Sequence, residues 1–112
     1  MKKIEAIIRP ERLELLKDAL LEVKINGITI NQVMGCGTQL GWTEHYRGSE
    51  VLMNTRAKVE LKIIVPDARL EELIELICRV AYTGEVGDGK IFVSDILECV
   101  RIRTGERGEK AV

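Results

Sequence analysis

Aromatic side chains are scarce in this sequence: one Trp, two Tyr and one Phe, 4% of the residues. A core built almost without rings has to be aliphatic, and 46% apolar residues supply it. The same scarcity removes the stacking platforms that readers of single-stranded RNA use. With one histidine, His45, the H-E-x-x-H pattern is impossible, no histidine metal cluster can be anchored, and no Ser-His-Asp set stands out. The three cysteines, at 36, 78 and 99, are odd in number, widely spaced and without a C-x-x-C pair. That excludes a disulfide framework and a zinc site. Cys78 and Cys99 are expected as small core or near-core residues, and the cytoplasm as the compartment. Neither charge sign dominates, with 17 Lys and Arg against 18 Asp and Glu, for a formal net charge of −1. A dedicated nucleic-acid surface would carry a basic excess, and a solvating tail an acidic one. No apolar run reaches the length of a membrane span. The start, Met1-Lys2-Lys3-Ile4-Glu5, has no apolar stretch of the signal-peptide kind.

What is present reads as one domain over residues 1–112. Residues 2–9, K-K-I-E-A-I-I-R, are strand-like, and Pro10 then opens a helix, where its missing N–H costs nothing. Leu13, Leu16, Leu20 and Val23 form that helix's apolar stripe. Asn26-Gly27 is a turn signal, and Ile28 to Met34 is β-branched and strand-like. From Gly35 to about Arg56 neither period holds, and a loop of roughly twenty residues in a small domain points to function. Lys58 to Val65 alternates, with Val59, Leu61, Ile63 and Val65 on one side and charges on the other. Pro66-Asp67 ends this strand and caps a second helix, whose stripe is Leu70, Leu73, Ile74, Ile77 and Ala81. Ile91 to Val93 and Ile96 to Ile102 read as one or two further strands. Two β-α-β halves predict an α+β, ferredoxin-like βαββαβ fold: an antiparallel four-stranded sheet with both helices on one face. The second face is free to take polar groups or to be buried in an oligomer.

The sharpest local signal is Gly84-Glu85-Val86-Gly87-Asp88-Gly89-Lys90, which has the spacing of G-x-x-x-x-G-K. Two features exclude a true P-loop: Ile91 stands where the metal-holding hydroxyl belongs, and a helix precedes the loop where a strand should. The physical content outlives the label. Closely spaced glycines let backbone N–H groups form an anion nest, and Lys90 adds a compact charge. Arg101 and Arg103, two apart on an expected strand, would point the same way. The cluster is either a polyphosphate cradle or a flexible turn beside a solvated strand.

Four strings resemble the PII signal-transduction proteins, the trimeric regulators of nitrogen metabolism. They are M-K-K-I-E-A-I-I-R-P at the start, T-E-H-Y-R-G at 43–48, T-G-E-V-G-D-G-K-I-F-V at 83–93 and R-I-R-T-G-E-R-G at 101–108. The resemblance covers essentially the whole chain. It implies a homotrimer with a long T-loop at about 37–55, a B-loop at 82–90 and a C-loop at about 101–108. It implies ATP or ADP between subunits, with Gly87, Asp88, Gly89 and Lys90 on the phosphates together with Arg101 and Arg103 of a neighbour. Ile7, Thr29, Gly35, Gly37 and Ile64 correspond to the adenosine site. 2-Oxoglutarate would join Mg-ATP at Arg9, Gln39, Gly41, Lys58 and Gly87, with Gln39 contacting the Mg ion. Thr43, Tyr46 and Arg47 of the T-loop would meet a partner: an ammonium transporter, or an enzyme or regulator of nitrogen metabolism. No catalysis is implied.

Some positions depart from the family pattern. Val51 stands where many members carry a uridylylated tyrosine, so that modification is excluded there. Thr38, Lys62 and Tyr82 replace residues that are often Arg, Glu and Arg. The alternatives are a PII-like sensor of a different small ligand and a phosphate-handling enzyme.

Overall fold

Apolar side chains at alternate positions of Lys2–Ile8 make β1 the natural partner of an equally alternating strand, and in the computed structural model that partner is β5, Met53–Val65. The structure describes residues 1–25, 27–38, 44–46, 49–51 and 53–112. The other elements are α1 (Leu13–Glu22), β2 (Thr29–Thr38), β3 (Glu44–Tyr46), β4 (Ser49–Val51), α2 (Leu70–Ala81) and β6 (Lys90–Asp95). The main sheet has the order β2-β5-β1-β6, with every pair antiparallel, and β3 and β4 form a separate small hairpin. This is the ferredoxin-like α+β arrangement.

One face of the sheet carries the core. Ile4, Ala6 and Ile8 of β1 and Val59, Leu61, Ile63 and Val65 of β5 are buried against Leu16 and Leu20 of α1 and Leu73, Leu76, Ile77 and Ala81 of α2. Burying each of the Val, Leu and Ile side chains among these stabilises the fold by about 1.5–3 kcal/mol. On the opposite face Lys3 pairs with Glu5 at 2.9 Å and Lys62 with Glu60 at 3.0 Å. Charges therefore occupy the side that no helix covers.

Helix ends are set by backbone chemistry. Pro10 opens a short 3₁₀ turn, Pro10–Arg12, that leads into α1. At the far end of α1 the Ile25 N–H reaches the Leu20 carbonyl and the Lys24 N–H the Leu21 carbonyl, with Lys24 at φ 65°. This is a Schellman ending in which a lysine takes the left-handed position that glycine usually fills. The backbone reverses there, ahead of the expected Asn26-Gly27 turn, and Asn26 lies outside the described residues. Arg69 Nη2 donates to the Val23 carbonyl at 2.7 Å, so the second half of the chain closes the first helix's last orphan acceptors.

Several sequence expectations need correction. The aperiodic stretch from Gly35 to Arg56 is not wholly loop: β2 runs to Thr38 and stays paired with β5 as far as Thr38↔Met53. Backbone pairing needs no hydrophobic alternation, because the ladder is made by main-chain N–H and C=O groups. Asp67 makes no capping bond, because its carboxylate pairs with the Met1 amino group at 2.9 Å. Cys78 is exposed and Cys99 half-buried. Leu76 takes the place in the core, because the buried face of α2 centres on Leu73 and Ile77, one residue's rotation away from Cys78.

Residues 96–102 form no strand. Val100 makes one isolated bridge, to Arg107, and the chain turns between them, with Gly105 N–H on the Arg101 carbonyl at 2.8 Å and Arg101 N–H on the Glu106 carbonyl at 2.9 Å. Strand-like composition makes a strand only beside an available edge, and this segment folds back on itself; Leu97 and Ile102 are left 96% and 100% exposed.

Leu61 is fully buried at the centre of the sheet. Leu61→Ala should cost about 2–5 kcal/mol through lost burial and the cavity left behind. Urea unfolding will show this as a lower midpoint at unchanged slope.

Candidate functional site

Directly paired residues of an antiparallel sheet point to the same side, so register alone assigns faces. Ile7 pairs with Lys90 and with Glu60, Lys58 with Val33, Gly35 with Arg56, Gly37 with Asn54, Thr29 with Lys62 and Ile64 with Lys3. Ile7, Thr29, Gly35, Gly37, Lys58, Ile64 and Lys90 therefore all belong to the face without helices. They do not form one tight cluster. The pairing partner of Gly37 lies ten residues along β5 from Ile64, roughly 33 Å of strand. In a single chain the adenosine-site candidates form a long track.

A tighter cluster does form at the end of β1, where the loop between α2 and β6 comes down on the sheet. Gly87 lies at φ 103°, and a Cβ there would stand 3.4 Å from both Arg9 Nη2 and Lys58 Nζ. Gly89, at φ 104°, presses so closely on β1 that a Cβ would collide with the Ile7 carbonyl. Gly35 is 3.4 Å, by the same measure, from the stem of Lys58. Ile7, Arg9, Gly35, Lys58, Gly87, Asp88, Gly89 and Lys90 are thus brought together.

Asp88 organises the loop. Its carboxylate accepts from the Thr83 N–H at 2.8 Å, the Gly84 N–H at 3.0 Å, Arg9 Nε at 2.9 Å and the Thr83 hydroxyl. These donors, the Thr83 hydroxyl foremost, hold its carboxyl well below the usual carboxylate range. Arg9 also donates to the Val86 carbonyl at 2.7 Å, and Lys58 to the Gly87 carbonyl. Burial, then the neighbouring Arg9 charge, push the Lys58 ammonium below its ordinary value. At the loop's stem Arg12 Nη2 donates to the Tyr82 carbonyl at 3.2 Å. Behind the loop lies a cavity of about 340 Å³ floored by Ile74, Ile77, Ile91 and Val93.

Sequence reasoning singled out Asp88 but missed Thr83, whose amide and hydroxyl its carboxylate accepts. The four-residue gap of Thr83-x4-Asp88, closing a glycine turn, was the available signal. Arg101 and Arg103 do not share a strand: Arg101 opens the turn and pairs with Glu106 at 3.4 Å, and Arg103 sits within the turn, exposed. Gln39, Gly41, Thr43 and Arg47 lie outside the described residues, and Tyr46 has its backbone in β3. Among the described residues no three His, Cys, Asp or Glu groups gather as a metal site.

The glycine loop thus lies over a sheet end beside two cations, Arg9 and Lys58. The family model for nitrogen regulatory protein P-II matches residues 1–106. The chain belongs to the P-II family. It is 50% identical over its full length to the nitrogen regulatory protein P-II of Azospirillum brasilense, with 100% of each chain covered. It is 47% identical, with the same coverage, to nitrogen regulatory protein P-II 1 of Escherichia coli K12. Among solved structures it resembles Arabidopsis thaliana PII bound to citrate, at TM-score 0.78 and 40% identity, covering 99% of this chain and 91% of that one. It also resembles the ATP complex of Bacillus subtilis GlnK, at TM-score 0.84 and 33% identity, covering 99% and 96%. P-II proteins are regulatory signalling proteins of nitrogen metabolism and not enzymes.

Two outcomes follow for the P-II loop. Gly89→Ala should be far more destabilising than Gly105→Ala, which meets open space at φ 73° and should cost only about 1–2 kcal/mol. Denaturant midpoints of the two variants will rank them, and equal costs would remove the close approach from the account. Asp88 stabilises the fold fully above the unfolded carboxyl value of about 3.9, and that contribution is lost as pH falls through its lower folded value. Asp88→Asn should therefore lower Tm at neutral pH, and the gap to the unmutated protein should close only below about pH 4. A gap that stays constant into strong acid would contradict it.

Proposed function

We propose that this P-II protein is a ligand sensor that binds ATP or ADP and, with Mg-ATP, 2-oxoglutarate. The observation that carries the proposal is the convergence of Arg9, Lys58 and the backbone of Gly87–Lys90 on one end of the open sheet face. The ATP-bound GlnK and the citrate-bound Arabidopsis PII support it, one for a polyphosphate and one for a small polycarboxylate. The phosphates would lie on Gly87, Asp88, Gly89 and Lys90, joined by Arg101 and Arg103 from a neighbouring copy in a homotrimer. Adenosine would run along Ile7, Thr29, Gly35, Gly37 and Ile64. The exposed apolar side chains of Leu97 and Ile102 favour assembly with further copies.

The dicarboxylate would meet Arg9, Lys58, Gly87, Gly41 and Gln39. A keto acid and a polyphosphate repel each other unless a divalent cation lies between them, and Mg supplies that neutralisation when bound. Gln39 is the protein group proposed for the ion, and the rest of its shell would be ligand oxygen. The two ligands then bind cooperatively because they share one ion. Thr43, Tyr46 and Arg47, on the segment that starts at Gln39, would carry the result to a partner, an ammonium transporter in the first place. Among the described residues no helix is long and apolar enough to cross a membrane. The cytoplasm is the location proposed.

Isothermal titration checks both ligands. Mg-ATP should bind, 2-oxoglutarate should give heat only with Mg-ATP present, and absence of that second heat overturns the sensing role. Lys90→Ala should weaken ATP at least about tenfold, the loss of a charge-assisted contact of roughly 1.5–3 kcal/mol.

A further inference from the structure

Arg9 and Lys58, the two cations of the anion site, are already occupied. Arg9 Nη2 holds the Val86 carbonyl at 2.7 Å and Lys58 Nζ holds the Gly87 carbonyl. Two consecutive backbone oxygens of the loop thus rest on two neighbouring positive groups. The backbone conformation involved is one that favours glycine. Gly87 has φ 103°, and its missing Cβ would stand 3.4 Å from each cation. Neutral carbonyls are weaker partners for such groups than carboxylate oxygens, which form charge-assisted bonds at both ends.

We infer that the loop is the built-in occupant of its own anion site: the Val86 and Gly87 carbonyls hold the place of a carboxylate ligand on Arg9 and Lys58, and such a ligand binds by displacing them. The ligand's identity as a dicarboxylate rests on the proposed function, while the latch is a property of the ligand-free chain. Displacement releases only the tip of the loop. Arg9 Nε stays on Asp88, which keeps the Thr83 and Gly84 N–H groups, so the stem remains closed. On the other side Lys90 is held in register with Ile7. Motion is confined to the few residues between these anchors, which include the N–H groups of Gly87 and Asp88. Carboxylate binding and the aim of the phosphate-facing backbone therefore share one short segment, and their coupling needs no longer path. A ligand must outcompete the two carbonyls, so the apparent affinity is lower than an unlatched site would give.

Amide hydrogen exchange on the ligand-free full-length protein tests this, with peptides over 83–90 and over β1. Lys58→Met keeps the aliphatic stem and removes the donor. Exchange around Val86–Asp88 should speed up by about fivefold, the effect of one modest hydrogen bond, with β1 unchanged. Lys58→Gln retains a donor and should lie between Lys58→Met and the unmutated protein. Equal loop exchange in the unmutated protein and Lys58→Met, with β1 still protected, overturns the latch. If Lys58→Met loses protection throughout β1, Lys58→Gln, which leaves the Arg9–Asp88 brace intact, decides by the same readout: loop exchange faster than in the unmutated protein supports the latch and unchanged exchange overturns it. Failure of 2-oxoglutarate to bind the unmutated protein would overturn the ligand assignment alone and leave the exchange comparison standing.

Discussion

The carboxylate of Asp88 accepts from the Thr83 amide and hydroxyl, the Gly84 amide and Arg9 Nε, and so ties the exit of α2 to the exit of β1. These two points come from different halves of the chain. Without that tie a segment with three glycines would have too many conformations to present a defined set of N–H groups. Once it is made, Gly87 is brought against Arg9 and Lys58, and Gly89 against the backbone of Ile7. A local bond network therefore sets the geometry of every cation and amide in the candidate site.

The division of labour across the sheet follows from the same economy. All the aliphatic burial lies on one face, under α1 and α2, where it stabilises the domain without constraining the other. The helix-free face is left to charged pairs, to Lys58 and Lys90 and to the track of small residues on β2. A P-II regulator needs such a face, because an anion site on a packed side would bury unpaired charge at high cost. The exposed apolar segment after β6, and the length of the track from Ile64 to Gly37, fit a site shared with neighbouring copies, as proposed for the trimer.

Much of this was legible in the residues. Strict alternation from Val59 to Val65 and the stripe through Leu16 and Leu20 announced the sheet's buried face and the helix that covers it. Glycine spacing between 84 and 89, followed by Lys90, announced a loop able to approach the sheet closely. Other features were hidden for a physical reason. Cys78 looks like a core residue in a helical pattern until the neighbouring strands fix which arc of α2 is buried. Residues 96–102 have strand composition, yet no strand edge within the chain receives them, so Arg101 and Arg103 lose the shared direction that a strand would have imposed.

The sequence by itself determined the fold class, the core-facing residues of β5, the apolar stripes of both helices, and the glycine-rich loop that ends at Lys90. Each of those depends on local periodicity or on the conformational freedom of single residues, which a linear string records. Only the tertiary structure decided that Asp88 ties the loop to Arg9, and that Arg9 and Lys58 rest on the loop's own carbonyls. Those contacts join residues 77 and 79 positions apart in one case and 29 in the other. Partners so distant meet only when the sheet's register is set, and register is a property of the folded whole.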